Sequence, residues 1–330
     1  MVAGAGAVGC FVGGALAAGG HDVTLLARPR IAQEIRAHGL TLTDFSGMAQ
    51  KVNADTLTLA EHPACLSRAD VVLVTVKSHD TADMAATIAA HARLGSRVVS
   101  LQNGTGNANT LSAALSGFDL RAGMVPFNVV PLGQGCFHRA SSGDIMVAAG
   151  PGDLATSLSV AHLRLIETRD IEGVLWGKFL INLNNALNAL SGLPLYRQLH
   201  SRDWRRLMAE QWVEALKVLR ARGIRPVSTT PVGVGIIPHI LRLPTPLFSR
   251  IAASMLTLDA QARTSMAHDL MAHRPTEIDA LQGEVQRMGI AAGLPTPIAD
   301  MVLRVMAMAE LADEGLPHLP VKALRGEIWR

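Results

Sequence analysis

A run of glycines at the head of the chain constrains its fold more than any other feature. Met1-Val2-Ala3-Gly4-Ala5-Gly6-Ala7-Val8-Gly9 reads GxGxxG and is followed by an apolar helical stretch and a strand-like run, Asp22–Ala27. The spacing has a mechanical meaning. Gly4 permits a tight turn, Gly6 lets the backbone approach a pyrophosphate, and Gly9 lets the helix close on the strand. The helix N-terminus then turns unpaired N–H groups toward the phosphates. On its own the pattern also fits a glycine-rich packing turn. In its strand–helix–strand context it predicts a dinucleotide site built from Gly4, Ala5, Gly6, Ala7, Val8 and Gly9. Only Met1–Ala3 precede the glycines, against about five or six residues in a usual strand. The expectation is either a truncated start or an unusually short first strand.

The end of the second strand selects the cofactor. An NAD site usually places Asp or Glu there, on the ribose 2′-hydroxyl. This chain reads Leu25-Leu26-Ala27-Arg28-Pro29-Arg30, with no carboxylate. Guanidinium groups suit a 2′-phosphate, so the expected cofactor is NADP with Arg28 as its anchor. The competing reading makes these arginines surface residues of a helix.

Residues 1–20 carry no charge and could be mistaken for a signal or a membrane span. No Lys or Arg precedes Asp22 to make a basic n-region, and the stretch holds too many glycines for an ordinary spanning helix. Cys10, Cys65 and Cys136 show no CxxC spacing, which argues against a disulfide framework or a cysteine zinc site. A reducing cytoplasm is the expected compartment. The 330 residues are 49% hydrophobic and 17% charged, enough for a large core and about two domains. Net charge is +3. The first 170 residues hold 12 basic and 13 acidic groups, the remainder 18 and 14. Neither half suits nucleic acid as main partner, while a local basic site for a phosphorylated small molecule stays open.

Apolar runs at Val23–Leu26, Val71–Val76 and Arg97–Leu101, with an alanine-rich helix at Thr81–His91 between the last two, predict a doubly wound parallel sheet. Leu40–Thr43 and Gln50–Ala54 predict a hairpin around Phe45-Ser46-Gly47. Val125–Val130 and Ile145–Ala149 are expected to close the sheet. From about Glu167 β-runs give way to helical periods: Ile171–Leu190, Trp204–Arg222, Ile251–Ala272, Glu277–Met288 and Ile298–Ala312. The fold class is therefore α/β, an N-terminal Rossmann-type doubly wound sheet plus a C-terminal all-helical domain. The expected domains are 1–168, binding NADP, and 169–330, helical and carrying substrate binding and catalysis.

Five of the 30 basic residues are lysines, and Lys178 stands in an otherwise apolar helix. At about 100° per residue, Asn182 lies about 40° from it and Asn185 about 20° away on the other side. A buried lysine has a movable pKa and can protonate a developing alkoxide. A snorkelling lysine beside mutually satisfied asparagines is the bland alternative. Ser265 and Glu277 are twelve residues apart, about 18 Å on one straight helix. Pro275 breaks that helix, and Thr276 with Asp279 resembles a capping box. Glu277 then falls in a first turn, where an acid also simply complements the dipole. His268 and His273 lack HExxH spacing, so no metal is expected. Lys77 and Asn103 follow strands and sit at the carboxyl edge of the sheet, where ligands bind.

In order and spacing these fragments resemble the ketopantoate reductase (2-dehydropantoate 2-reductase) family. They are Gly4-Ala5-Gly6-Ala7-Val8-Gly9, Val76-Lys77, Gln102-Asn103-Gly104, Trp176-Gly177-Lys178 with Asn182, Ser265-Met266 with Asp269, and Thr276-Glu277-Ile278-Asp279 with Gly283. The resemblance implies NADPH-dependent reduction of ketopantoate to pantoate, for pantothenate and coenzyme A synthesis. It implies Lys178 as general acid and Glu277 as a hydrogen-bonding group near cofactor and substrate. Asn103 would touch nicotinamide and substrate, Ser265 and Asn182 would bind substrate, and Lys77 and Arg28 would hold NADP. The family's asparagine eight residues after the lysine is Ala186 here, and the one eighteen after is Tyr196. Asn185 faces Lys178 more squarely than position 186 and is expected to substitute. Another branched 2-oxo acid is the alternative substrate. A 3-hydroxyacid-type dehydrogenase and a non-catalytic NADP-binding sensor are the remaining readings, and a sensor has no use for Lys178 or Glu277. The expected partners are a small 2-oxo acid and, as an assembly left open, a second copy in a homodimer, with no nucleic acid and no membrane.

Overall fold

The computed structural model of the chain describes residues 1–230, 232–252 and 261–328. It divides into two compact units, Met1–Ile171 and Glu172–Arg330. The strands in chain order are β1 (Val2–Ala3), β2 (Thr24–Leu26), β3 (Leu40–Asp44), β4 (Ala49–Val52), β5 (Thr58–Ala60) and β6 (Val71–Val74). They continue as β7 (Arg97–Ser100), β8 (Asp119–Met124), β9 (Val129–Gly133), β10 (Cys136–Arg139), β11 (Ile145–Ala148) and β12 (Leu165–Thr168). Eight form one sheet in the order β12-β11-β8-β7-β6-β1-β2-β5. All its pairings are parallel except β8 with β11. From β1 the chain winds outward to β2 and β5, then returns to β6 on the other side of β1. That reversal is the topological switch point at which open α/β sheets bind ligands.

The expected hairpin is present as β3 and β4. It does not extend the main sheet but seeds a second one, β4-β3-β10-β9. This corrects the reading of Val125–Val130 as a sheet-closing strand. Pairing in that region begins at Val129, and β9 turns through Gly133, Gln134 and Gly135, all at positive φ, into antiparallel β10. The strand that continues the main sheet is β8. Its sequence carries Asp119 and Arg121, which break the apolar run, yet Arg121 is 3% exposed and its guanidinium clasps Asp119.

Two sheets explain the uncharged head of the chain. In the Ala7–Ala18 helix every residue from Gly9 to Leu16 is buried. A Cβ on Gly13 would lie 2.5 Å from Leu25 of β2, and one on Gly14 would lie 3.1 Å from Leu40 of β3. The helix is therefore packed on both sides, and a helix buried all round is apolar all round.

Among the described residues the second unit contains no strand. Its core gathers Trp176, Phe179, Leu183, Leu187, Trp204, Leu207, Met301 and Val302 from successive helices. Residues expected as one helix, Ile171–Leu190, form two, Ile171–Asn182 and Asn184–Ser191. Of the expected Ile251–Ala272 helix, residues 253–260 lie outside the described part, and helix is found at Ser265–Met271. Two polar devices hold the bundle. Arg205, fully buried on the Arg202–Ala221 helix, donates to the carbonyls of Leu199, Leu241 and Leu243 at 2.8–3.1 Å and stacks over Phe248. Glu214 accepts from the N–H groups of Ile298 and Ala299 at 2.9 and 2.8 Å, capping the Pro297–Ala312 helix from outside. Burial pushes the Glu214 carboxyl up to about 7 despite those two bonds.

Candidate active site

In the first unit the glycine loop leaves β1 at the switch point. Gly4 has φ +107, and a Cβ there would come within 2.6 Å of Val76 in the loop after β6. A Cβ on Gly9 would strike the Gly4 carbonyl and approach Thr75 Oγ1 to 2.6 Å. Thr75 itself donates to the Gly4 carbonyl. Gly6 differs: nothing lies within 4 Å of its Cβ position. Two glycines thus answer to packing and the third to open space, and Gly6 caps a helix whose first N–H groups have no helical partners. Ala5, Ala7 and Val8 complete that turn. The arrangement fits the phosphates of a dinucleotide.

Arg28 precedes Pro29, the first residue of the Pro29–His38 helix, and makes no side-chain cap there. Its side chain is 85% exposed and reaches Asp80 Oδ2 at 3.4 Å, a long surface pair. Lys77 stands half-buried just before the Ser78–Asp80 turn. Asn103 projects from the loop after β7, and its backbone carbonyl accepts from Ser78 and Asn107. Beneath these loops lies a buried chain of bonds that the sequence reading passed over. Ser100 donates to Gln102 Oε1 at 3.0 Å, and Gln102 Nε2 donates to Val76 O at 3.0 Å and to Thr81 Oγ1 at 2.8 Å. Thr81 in turn donates to Asn107 Oδ1 at 2.9 Å. Gln102 and Asn107 therefore fix the loops that present Lys77 and Asn103. Their polarity within a strand-end segment was the available signal.

In the second unit, Lys178 and Asn182 lie on the Ile171–Asn182 helix. Gly177 explains how Lys178 is placed. The extended segment at Val227 donates its N–H to Gly173 O at 2.7 Å, and its carbonyl lies where a Gly177 Cβ would be. Desolvation lowers the Lys178 ammonium pKa from 10.5 to about 8. Asn182 is buried. The helix then breaks at Leu183, whose carbonyl accepts from Gln282 Nε2 at 2.8 Å.

Beyond the break, the structure brings together two of the expected substrate residues. Asn185 Nδ2 donates to Ser265 Oγ at 3.3 Å. Thr264, just before Ser265, donates to Asn185 O at 3.0 Å and takes Asn188 Oδ1 on its own N–H at 3.1 Å. Ala186 is fully buried. Asn184 turns elsewhere and exchanges two bonds with the fully buried Gln198.

Glu277 is half-buried at the head of a π-turn, Asp279–Gly283, that leads into the Glu284–Ala291 helix. The expected capping box is not formed. Thr276 Oγ1 donates to Glu310 at 2.6 Å and accepts from Ile278 N, while Asp279 pairs with Arg287 at 3.0 Å. The Ser265–Met271 helix does end before Pro275, through His273 at φ +52. His273 Nδ1 bonds Asp313 at 2.7 Å, and His268 lies on the helix itself. Gln282, absent from the sequence reading, anchors the π-turn to Leu183 and so to the helix pair carrying Lys178 and Asn185. Nothing in its spacing marked it.

The family model for "Ketopantoate reductase PanE/ApbA" matches residues 1–152, and the model for that family's C-terminal part matches 170–310. A curated relative, 2-dehydropantoate 2-reductase of Halobacterium salinarum, is 24% identical across 94% of this chain and 98% of its own. Among solved structures, a PanE/ApbA family ketopantoate reductase from Ralstonia eutropha is 30% identical, with TM-score 0.80, covering 95% of this chain and 98% of that one. D-mandelate dehydrogenase, solved with NADH and anilino(oxo)acetate, aligns at TM-score 0.78 and 21% identity over 94% and 98% of the two chains.

Proposed function

The chain belongs to the ketopantoate reductase family and is an oxidoreductase acting on CH–OH groups with a nicotinamide cofactor, and on that premise we propose that it reduces ketopantoate to pantoate with NADPH. One observation carries the chemistry: a desolvated lysine with a pKa near 8, on a helix that continues to Asn182. Bound reduced nicotinamide supplies a hydride to one face of the ketone. The chain's residues do the rest. Lys178 donates its proton to the carbonyl oxygen as charge develops there, and solvent reprotonates it. Asn182, Asn185 and Ser265 hold the substrate's polar groups, and the 3.3 Å Asn185–Ser265 bond pre-sets two of them. Asn103 orients nicotinamide and substrate, and Glu277 hydrogen-bonds beside them. Residues Gly4 to Gly9 cradle the pyrophosphate, while Lys77 and Arg28 bind the 2′-phosphate end. In this reading residues 1–168 are the NADP-binding domain and 169–330 the substrate and catalytic domain.

A second reading keeps the reaction and changes the substrate to another branched 2-oxo acid. The fully buried Ala186 favours it, because a family substrate contact is missing there and Asn185 only replaces it from a different angle. The test is NADPH oxidation with ketopantoate beside a panel of 2-oxo acids. The highest kcat/KM on ketopantoate supports the first reading. A higher value on another 2-oxo acid moves the chain to the second. No oxidation with any of them refutes both.

A further inference from the structure

We propose that the second unit carries a binding site for a small, multiply phosphorylated molecule in an arginine-lined cavity at the start of the Arg202–Ala221 helix. The cavity, of about 560 Å³, is lined by Arg202, Asp203, Arg206, Glu210, Arg242 and Arg325. Four guanidinium groups meet two carboxylates. One of those, Glu210, is already taken by Arg325 at 2.9 Å. Among the described residues the side chains of Arg202, Arg206 and Arg242 form no hydrogen bond or ion pair. Three guanidinium groups and the Asp203 carboxylate thus remain in one concavity, an excess of two positive charges, from the Arg202–Ala221 helix and from the end of the Ile237–Arg242 helix.

This arrangement opposes what a helix start prefers. The positive end of the dipole favours acids, worth about 0.3–1 kcal/mol each. Here Arg202, Arg205 and Arg206 crowd the first turns, with Asp203 as the only acid in the first turn. The charge is also held in place. Buried Arg205 grips the Leu241 and Leu243 carbonyls on either side of Arg242. That ties Arg242 to the helix bearing Arg202 and Arg206. A multivalent anion would relieve the repulsion and find planar, bidentate donors already gathered. Three free guanidinium groups match a diphosphate better than one monophosphate, and the volume lies in the range of small-molecule sites. The site lies in the other unit from the glycine loop and Arg28, and it does not rest on the reductase reading.

The test is calorimetric titration of the full chain with inorganic pyrophosphate, orthophosphate and a single-stranded oligonucleotide. Arg206→Ala and Arg242→Ala are compared with Arg28→Ala, and melting temperatures control for folding. Pyrophosphate is expected to bind at least about tenfold more tightly than orthophosphate. The site should weaken at least about tenfold in each of the first two variants and persist in Arg28→Ala. Absence of a pyrophosphate site would overturn the proposal. So would a site lost only in Arg28→Ala, or an oligonucleotide that binds these arginines more tightly than pyrophosphate.

Discussion

Lys178 lets activity and stability be read against each other. Its ammonium pKa falls from 10.5 to about 8 because the folded chain removes water from it. The sign follows from proton counting. Between about pH 8 and 10.5 the unfolded chain holds the proton and the folded chain does not. Stability therefore rises with pH across that window, and the burden is present in full below it. The size is about 3 kcal/mol, from ~1.36 kcal/mol per pH unit. Catalysis runs the opposite way. A general acid works while protonated, so reductive kcat/KM should be level up to about pH 8 and fall about tenfold per unit above it. Lys178→Met should lose roughly 10²–10⁴-fold in kcat. At pH 7 it should also gain about 1–3 kcal/mol, the lower figure allowing for a hydrogen-bond partner left unmatched. In a unit of this size that is roughly 2–10 °C in melting temperature. Turnover from pH 6 to 10 and melting of both proteins at pH 7 and 10 measure the two halves. A profile flat to pH 10, or a Lys178→Met protein that melts lower at pH 7 yet keeps its turnover, would refute the reasoning.

Arg28→Ala should reduce the preference for NADPH over NADH by about tenfold, roughly 1.4 kcal/mol, measured as the ratio of kcat/KM for the two cofactors; an unchanged ratio rules out the 2′-phosphate contact. Asn185→Ala should raise substrate KM several-fold, for about 0.5–1.5 kcal/mol of lost hydrogen bonding, with NADPH binding unchanged. Asn184→Ala should leave KM alone but lower the melting temperature, because it strips two bonds from buried Gln198; the reverse pattern would place the wrong asparagine at the substrate. Glu214 has a raised folded pKa, so its contribution is full below about pH 4.5 and is lost as pH rises through about 7. Glu214→Gln should therefore gain melting temperature relative to the parent at pH 8 and not at pH 4.5, and an equal difference at both pH values would show that the carboxyl is not desolvated.

Much of this molecule is local in its logic, and those parts are readable from sequence. The glycine loop, the Thr81–His91 helix and the β3–β4 hairpin follow from neighbours within a few residues. What escaped depends on distant partners. β8 hides behind Arg121, whose burial makes sense only with Asp119, Ala148 and Pro151 around it. Val125–Val130 reads as one more main-sheet strand, whereas pairing there starts at Val129 and joins β10 in the second sheet. The candidate site divides in the same way. Lys178 announces itself as a cation in an apolar helix, and position 185 was chosen over 186 by angle alone. The angle assumed an unbroken helix, whereas Asn185 meets Ser265 beyond a break. The break at Leu183 was not legible, because it is met by Gln282, ninety-nine residues away.

That break gives the two ends of the helix pair separate foundations. Lys178 takes its position from the extended segment that crosses Gly173 and Gly177, whereas Asn185 takes its position from Thr264 and Ser265. A straight rod would carry any error at one end to the other. Here the discontinuity lies between them, so the residues around Asn185 can shift without moving Lys178. On the proposed roles, specificity is free to vary around Asn185 while the acid at Lys178 stays put.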